Sequence, residues 1–229
     1  MPVDLSAFSE WDFVALALLL ICWQGIGWRI EHSSAARPST SRVVAQYRRD
    51  WMVQLVTRQP RIFDSAVLAT LREGTSFFAS ACMLAIGGGL ALLGNTDRIQ
   101  GVASEFTDTA TPDLVWEVKI LVLILLLASG FLAFVWSHRL FGYCAVVMAS
   151  VPNDPNDPSA YSRAAKAAEI NINAARSFNR GLRAVYFSMA ALTWLLGGPA
   201  LILGTLVTVV VLWRREFGSA SRAVLKQED

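Results

Sequence analysis

The chain is written in blocks, and that constrains its fold more than any single motif. Four long apolar runs, 13–28, 76–94, 120–137 and 184–213, alternate with segments that hold nearly all the charge. A soluble core interleaves apolar and polar positions, whereas a bilayer crossing needs about 20 apolar residues in succession. Charged residues make up 17% of the sequence, below the about 25% of soluble domains. The expectation is an all-α integral membrane bundle of about four transmembrane helices, forming one membrane domain over 1–229. The first run is preceded by Glu10 and Asp12 and ends at Trp28 and Arg29, unlike a cleaved secretory signal, so it reads as a retained first helix.

Charge asymmetry sets the expected orientation. Residues 29–72 carry eight Lys/Arg, and 138–183 carry Arg139, Arg163, Lys166, Arg176, Arg180 and Arg183. Between the second and third runs stand Asp97, Glu105, Asp108, Asp113 and Glu117. Basic loops stay cytoplasmic, so the N-terminus is expected outside a bacterial inner membrane and both basic segments inside. The tail, with Arg214, Arg215, Arg222 and Lys226, fits less well. Gly197-Gly198-Pro199 would allow a hairpin, but arms counted from Ala184 have only about 14 residues, too few to cross. A plain fourth crossing, kinked at the proline, is the expectation.

The cytoplasmic segments, about 41–75 and 138–183, read as helical. Val44, Tyr47, Trp51 and Leu55 form one stripe, which suits either a helix on the membrane surface or one packed on its neighbours. Asp64 is a plausible N-cap for the second membrane helix. Asp157 is another, with Pro158 in the first position of a helix that Gly181 would weaken. Small residues recur four apart at Ala81, Ala85 and Gly89; Ser129, Ala133 and Ser137; and Ala200, Gly204 and Thr208. Such stripes let helices approach closely in lipid, within one chain or between copies.

The strongest polar cluster is Arg176, Asn179, Arg180 and Arg183, joined by Asn171 and Asn173. Its arginines fall at i, i+4 and i+7 on one helical face. They are candidates to bind anionic lipid, to line an anion entrance, or to pair with Glu73 and Glu169; holding the loop inside is the simpler role. His32 and His138 border apolar runs and are weak candidates for haem ligands. Lys119 is expected to snorkel outward. The runs 13–28, 76–94 and 184–213 contain no charge, which argues against a proton-coupled pump. Cys22, Cys82 and Cys144 lack metal-site spacing. No catalytic signature appears, so no enzyme, resident cofactor or metal is expected, and the small net charge of +2 points away from nucleic acid.

The stretches Tyr47-Arg48-Arg49-Asp50-Trp51-Met52, Pro60-Arg61-Ile62-Phe63-Asp64 and 178–187, from Phe178-Asn179-Arg180-Gly181 to Tyr186-Phe187, resemble the bacterial and plant membrane-protein family called domain of unknown function 599. Trp136-Ser137-His138-Arg139 and Trp213-Arg214-Arg215-Glu216-Phe217 agree. The resemblance implies a multi-pass helical membrane protein and carries over no catalytic residue. The expected function is an oligomeric, channel-like or transport-related assembly with an arginine-lined inner vestibule, partnered by anionic lipids and copies of itself. Alternatives are an accessory subunit of a larger membrane complex and, more weakly, a haem-bearing redox subunit.

Overall fold

A computed structural model describes residues 7–94 and 112–226. Seven α-helices are described: α1 (Glu10–Glu31), α2 (Thr40–Thr57), α3 (Ile62–Leu93), α4 (Asp113–Ala149), α5 (Ala160–Leu192), α6 (Gly198–Phe217) and α7 (Ala220–Leu225). A 3-10 turn, Thr193–Leu196, joins α5 to α6. No strand occurs among the described residues. α1, α3 and α4 are long and apolar enough to cross a membrane, and the chain is an all-α membrane bundle. Asp97, Glu105 and Asp108 lie outside the described residues.

The chain divides into two compact units. The first comprises Met1–Arg29, Ala81–Gly130 and Leu182–Arg214; the second comprises Ile30–Ser80, Phe131–Gly181 and Arg215–Asp229.

In the first unit, the run expected to cross once turns back. α5 runs antiparallel to α1: Arg183 lies beside Gly27, and Trp194 Nε1 donates to Asp12 Oδ1 (2.6 Å). The chain then reverses, and α6 runs parallel to α1, from the backbone of Trp11 at Gly198 to Trp213 beneath the Arg29 guanidinium. Three residues make the reversal. Gly197 has φ 111°, where side chains are strained. A Cβ on Gly198 would stand 2.7 Å from the Trp11 backbone. Pro199 then occupies the first turn of α6, where its missing N–H costs nothing. The hairpin is therefore the observed form of 184–213 and replaces the plain crossing. The first arm begins a little before Ala184, running along α1 from Arg180, which bonds Glu31, to Trp194, which bonds Asp12. α6 has 20 residues, about 30 Å at 1.5 Å per residue. The stripe Ala200, Gly204 closes this turn: the Thr193 hydroxyl is shared between Ala190 O (2.7 Å) and Ala200 O (2.9 Å), and Gly204 leaves room for that threonine.

In the second unit, α2 contributes fully buried Met52, Leu55 and Val56 to a core shared with Leu68 of α3, Phe141, Cys144 and Met148 of α4, and Ala160, Ala164, Ala167 and Ala168 of α5. α2 thus packs through its C-terminal half, and of its stripe Leu55 is buried, Val44 and Trp51 are half-buried and Tyr47 is exposed. The α5 alanines permit close approach, and α4 side chains bond to the α5 backbone: Ser137 Oγ donates to Ala174 O (2.7 Å). In return Ser177 Oγ donates to Ala133 O (2.9 Å). Gly181 interrupts nothing. Its missing Cβ admits the Phe134 ring, 2.7 Å from where that carbon would stand, and Phe134 joins Phe78 and Phe178 in a ring cluster. At the start of α5, Asp157 Oδ1 accepts from the amide (2.8 Å) and hydroxyl (2.7 Å) of Ser159, and the helix begins at Ala160. Asp64 sits inside the first turn of α3 rather than capping it, for α3 begins at Ile62.

Candidate functional site

The second unit is held by polar clasps, and a cavity lies among them. Glu216, at the end of α6, meets the N-terminus of α2: its carboxylate accepts from the Ser41 amide (3.1 Å) and hydroxyl (3.0 Å). A carboxylate there satisfies an orphan helix donor and complements the helix dipole. Thr40 Oγ1 donates to Glu216 O (3.1 Å), and Asn179 Nδ2 of α5 donates to Ser41 Oγ (3.2 Å). Further along, Arg222 Nε donates to Pro38 O (2.9 Å), and Tyr47 Oη to Leu225 O (3.3 Å). The tail is thereby fastened to the basic segment that follows α1.

The cavity, about 350 Å³, has a polar side formed by Thr40, Ser41, Arg48, Asn179, Arg215 and Glu216, and an apolar side that includes Val44, Leu71 and Phe178. Arg48 reaches into the core, where Nη1 donates to Asn171 Oδ1. Asn171, wholly buried, passes the connection on to Cys144 Sγ (3.6 Å). Burial pulls the Arg48 pKa below its ordinary value, but an arginine starts so high that it keeps its charge.

Of the four sequence-predicted site residues, only Asn179 lines this cavity. Arg180 forms a forked pair with Glu31, with Nε at 2.9 Å and Nη2 at 2.5 Å from the carboxylate oxygens, and that bond raises its pKa. Arg176 Nη1 donates to Asn173 Oδ1 (3.0 Å) and stays exposed. Arg183, in the first unit, is buried beside Gly27. Glu169 pairs instead with Arg49 (2.8 Å). The cavity's other charged and hydroxyl groups include Arg48, Arg215, Ser41 and Glu216, which the helical spacing does not bring out. Arg48 was visible within a distinctive motif, but nothing local signals that Glu216 caps a helix starting near residue 40.

His138 has both ring nitrogens engaged. Arg72 Nε donates to its Nε2 (3.2 Å), which fixes the proton on Nδ1, facing Thr75 Oγ1 at 3.2 Å. Thr75 spends its own hydrogen on Arg72 O (2.6 Å), so it accepts. Neither nitrogen is left for an iron. His32 is exposed. Among the described residues no group of three His, Cys, Asp or Glu could hold a metal ion.

Besides Arg183, the first unit encloses an acid and a base, Asp12 and Lys119. Lys119 is 6% exposed, so it is packed inside rather than snorkelling. Its ammonium lies 5.1 Å from the Trp116 ring and 5.9 Å from that of Trp194, and it interacts electrostatically with Asp12. Asp12 also accepts from Ser9 Oγ (2.7 Å). Both residues border the apolar runs, which is why the runs themselves read as uncharged.

A family model described as protein of unknown function, DUF599, matches residues 14–221, and the chain belongs to that family. No curated protein and no solved structure matches it.

Proposed function

We propose that this family member is a non-enzymatic inner-membrane protein of five passes that holds an anionic, phosphate-bearing lipid headgroup on its cytoplasmic side. The passes are α1, α3, α4, the latter part of α5, and α6. The N-terminus is outside and the tail inside. The hairpin supports this arrangement, because a chain that turns back can keep Arg214, Arg215, Arg222 and Lys226 on one side with the other basic segments, as the positive-inside rule favours.

The observation that carries the headgroup reading is the cavity beside α2. Two guanidinium groups, an amide and several hydroxyls line one side, aliphatic and aromatic residues the other. Its single carboxylate, Glu216, is already spent on the Ser41 amide and hydroxyl. A phosphate suits forked guanidinium donors, and the apolar side suits the adjoining chain. The test is binding of phosphatidylglycerol to delipidated protein in neutral detergent, with phosphatidylcholine and inorganic phosphate as comparisons. Phosphatidylglycerol should bind most tightly, and Arg48→Gln with Arg215→Gln should remove that preference. Equal binding of both lipids by the wild type contradicts the reading; binding of inorganic phosphate as strong as that of lipid points to a soluble anion instead.

A second reading is a channel-like homo-oligomer, favoured by the exposure of Arg176 and Arg180 and of Ala81 and Ala85 on α3, a helix with few buried positions. In that case protein in liposomes should conduct, and Arg180→Glu should shift the reversal potential toward cations. No conductance, or purification as part of a larger complex, would set it aside.

A further inference from the structure

A second cavity of the same unit has in its wall a buried aspartate, one of whose oxygens has no hydrogen-bond partner. It measures about 450 Å³ and lies along α3 and α4, reaching the end of α2 and Asn153. Asp64 lines it and is wholly buried. Its Oδ1 accepts from Trp51 Nε1 (2.7 Å) and from Arg58, whereas Oδ2 has no hydrogen-bond partner. An unsatisfied buried acceptor is costly, and native proteins rarely leave one without a purpose.

The other groups around this oxygen narrow what could fill the space. Arg61 also lines the cavity, but it donates to four backbone carbonyls, Leu55, Val56, Val151 and Pro152. It is therefore a fixed positive charge with little donor capacity to spare. Arg72 lines the cavity eight residues along α3 from Asp64, about 12 Å at 1.5 Å per residue. It uses Nε for His138, which leaves its two terminal nitrogens as a forked donor for an anion. Between these ends the walls are apolar, with Leu68, Phe141 and Met148. Ala69, Ala145 and Ala149 are the small residues that leave the volume open.

The charge count also has a sign. Asp64 is balanced by Arg58, so a neutral donor satisfies Oδ2, while Arg61 and Arg72 favour a negative ligand. We infer that this groove binds a small anionic amphiphile: an acid group on Arg72, a short apolar body along α3 and α4, and a hydroxyl donating to Asp64 Oδ2. The site is separate from the headgroup cavity beside α2, and the inference does not rest on that reading.

The probe pair is ω-hydroxydecanoate and decanoate, which share the acid and the chain and differ in the terminal hydroxyl. Binding to the full chain in phosphatidylcholine nanodiscs should be saturable and about tenfold tighter for ω-hydroxydecanoate, the value of a satisfied buried acceptor. Asp64→Asn should erase that preference, but it also disturbs the bonds to Trp51 and Arg58. Ala145→Phe is the cleaner variant, since it fills the groove from α4 without touching those bonds. It should abolish saturable binding while leaving the thermal midpoint at or above that of the wild type, and Arg72→Gln should weaken both probes about tenfold. Equal affinity for the two probes, or binding unchanged in Ala145→Phe, would mean partition into lipid and would overturn the site. So would the absence of saturable binding to folded wild type, which would leave the cavity to solvent.

Discussion

The two units solve the problem of charge in opposite ways. The first encloses few charges, Asp12 and Lys119 beside two tryptophans and Arg183 beside Gly27, and its helices otherwise meet through glycine, threonine and aliphatic side chains. The second distributes charge widely, and its buried or half-buried polar groups bond mostly to backbone: Arg61 to four carbonyls, Ser137 to Ala174, Glu216 to the start of α2. The contrast teaches where each unit is vulnerable. An enclosed acid and base that feel each other's field fail when one is removed and the other charge is stranded. A network of side chain to backbone bonds fails at its most connected residue, and exposed ion pairs scarcely count.

The largest effect should therefore come from Arg61. Arg61→Ala releases four carbonyls at the α2–α3 and α4–α5 connections and should cost about 4 kcal/mol, since bonds to a charged donor contribute about 1.5–3 kcal/mol each and do not add fully. Arg61→Lys should recover less than half, because an ammonium cannot reproduce the planar fork. Thermal unfolding of the purified protein measures both. A loss below about 1 kcal/mol would show that the clasp is incidental.

Next comes the enclosed pair. Asp12→Asn or Lys119→Met alone should cost about 3 kcal/mol, and the double variant should recover most of it, because replacing both charges removes the stranded partner. Additive losses in that cycle would mean that the two residues are independent and that the first unit has no concentrated weak point.

The smallest effect belongs to Arg49 and Glu169, whose side chains are 46% and 55% exposed. Arg49→Ala should change stability by less than about 0.5 kcal/mol. A larger loss would erase the distinction between clasps that bond backbone and ion pairs that decorate the surface.

These expectations depend on contacts that the sequence disclosed unevenly. The membrane character was legible because a bilayer demands contiguous apolar residues, and three of the four runs lie within single long helices, α1, α3 and α4. The small-residue stripe at Ala133 and Ser137 marked a real close approach, to α5. The direction of the last helix was not legible from length alone, because the boundary of the apolar run concealed how far α5 extends before it. The positive φ of Gly197 and the nearness of Trp11 to Gly198 are tertiary facts. The arginine face was visible as a spacing, but spacing does not name partners: Glu31 lies 149 positions from Arg180, and Gly27 admits Arg183. Asp64 looked like a cap because caps are local. Its actual donors, Trp51 and Arg58, come from the end of α2, which only the packed fold brings to it.

The central claim is that 184–213 turns back and returns the tail to the side of the basic segments. In a chain with Cys22, Cys82 and Cys144 replaced, single cysteines at Asn156, Ser221 and Glu117 can be probed with a membrane-impermeant thiol reagent, in intact cells and after permeabilisation. The hairpin predicts that Asn156→Cys and Ser221→Cys label together, and with the proposed orientation they do so only after permeabilisation while Glu117→Cys labels in intact cells. Labelling of Ser221→Cys in intact cells, with Asn156→Cys still protected, would contradict the hairpin and restore a single crossing.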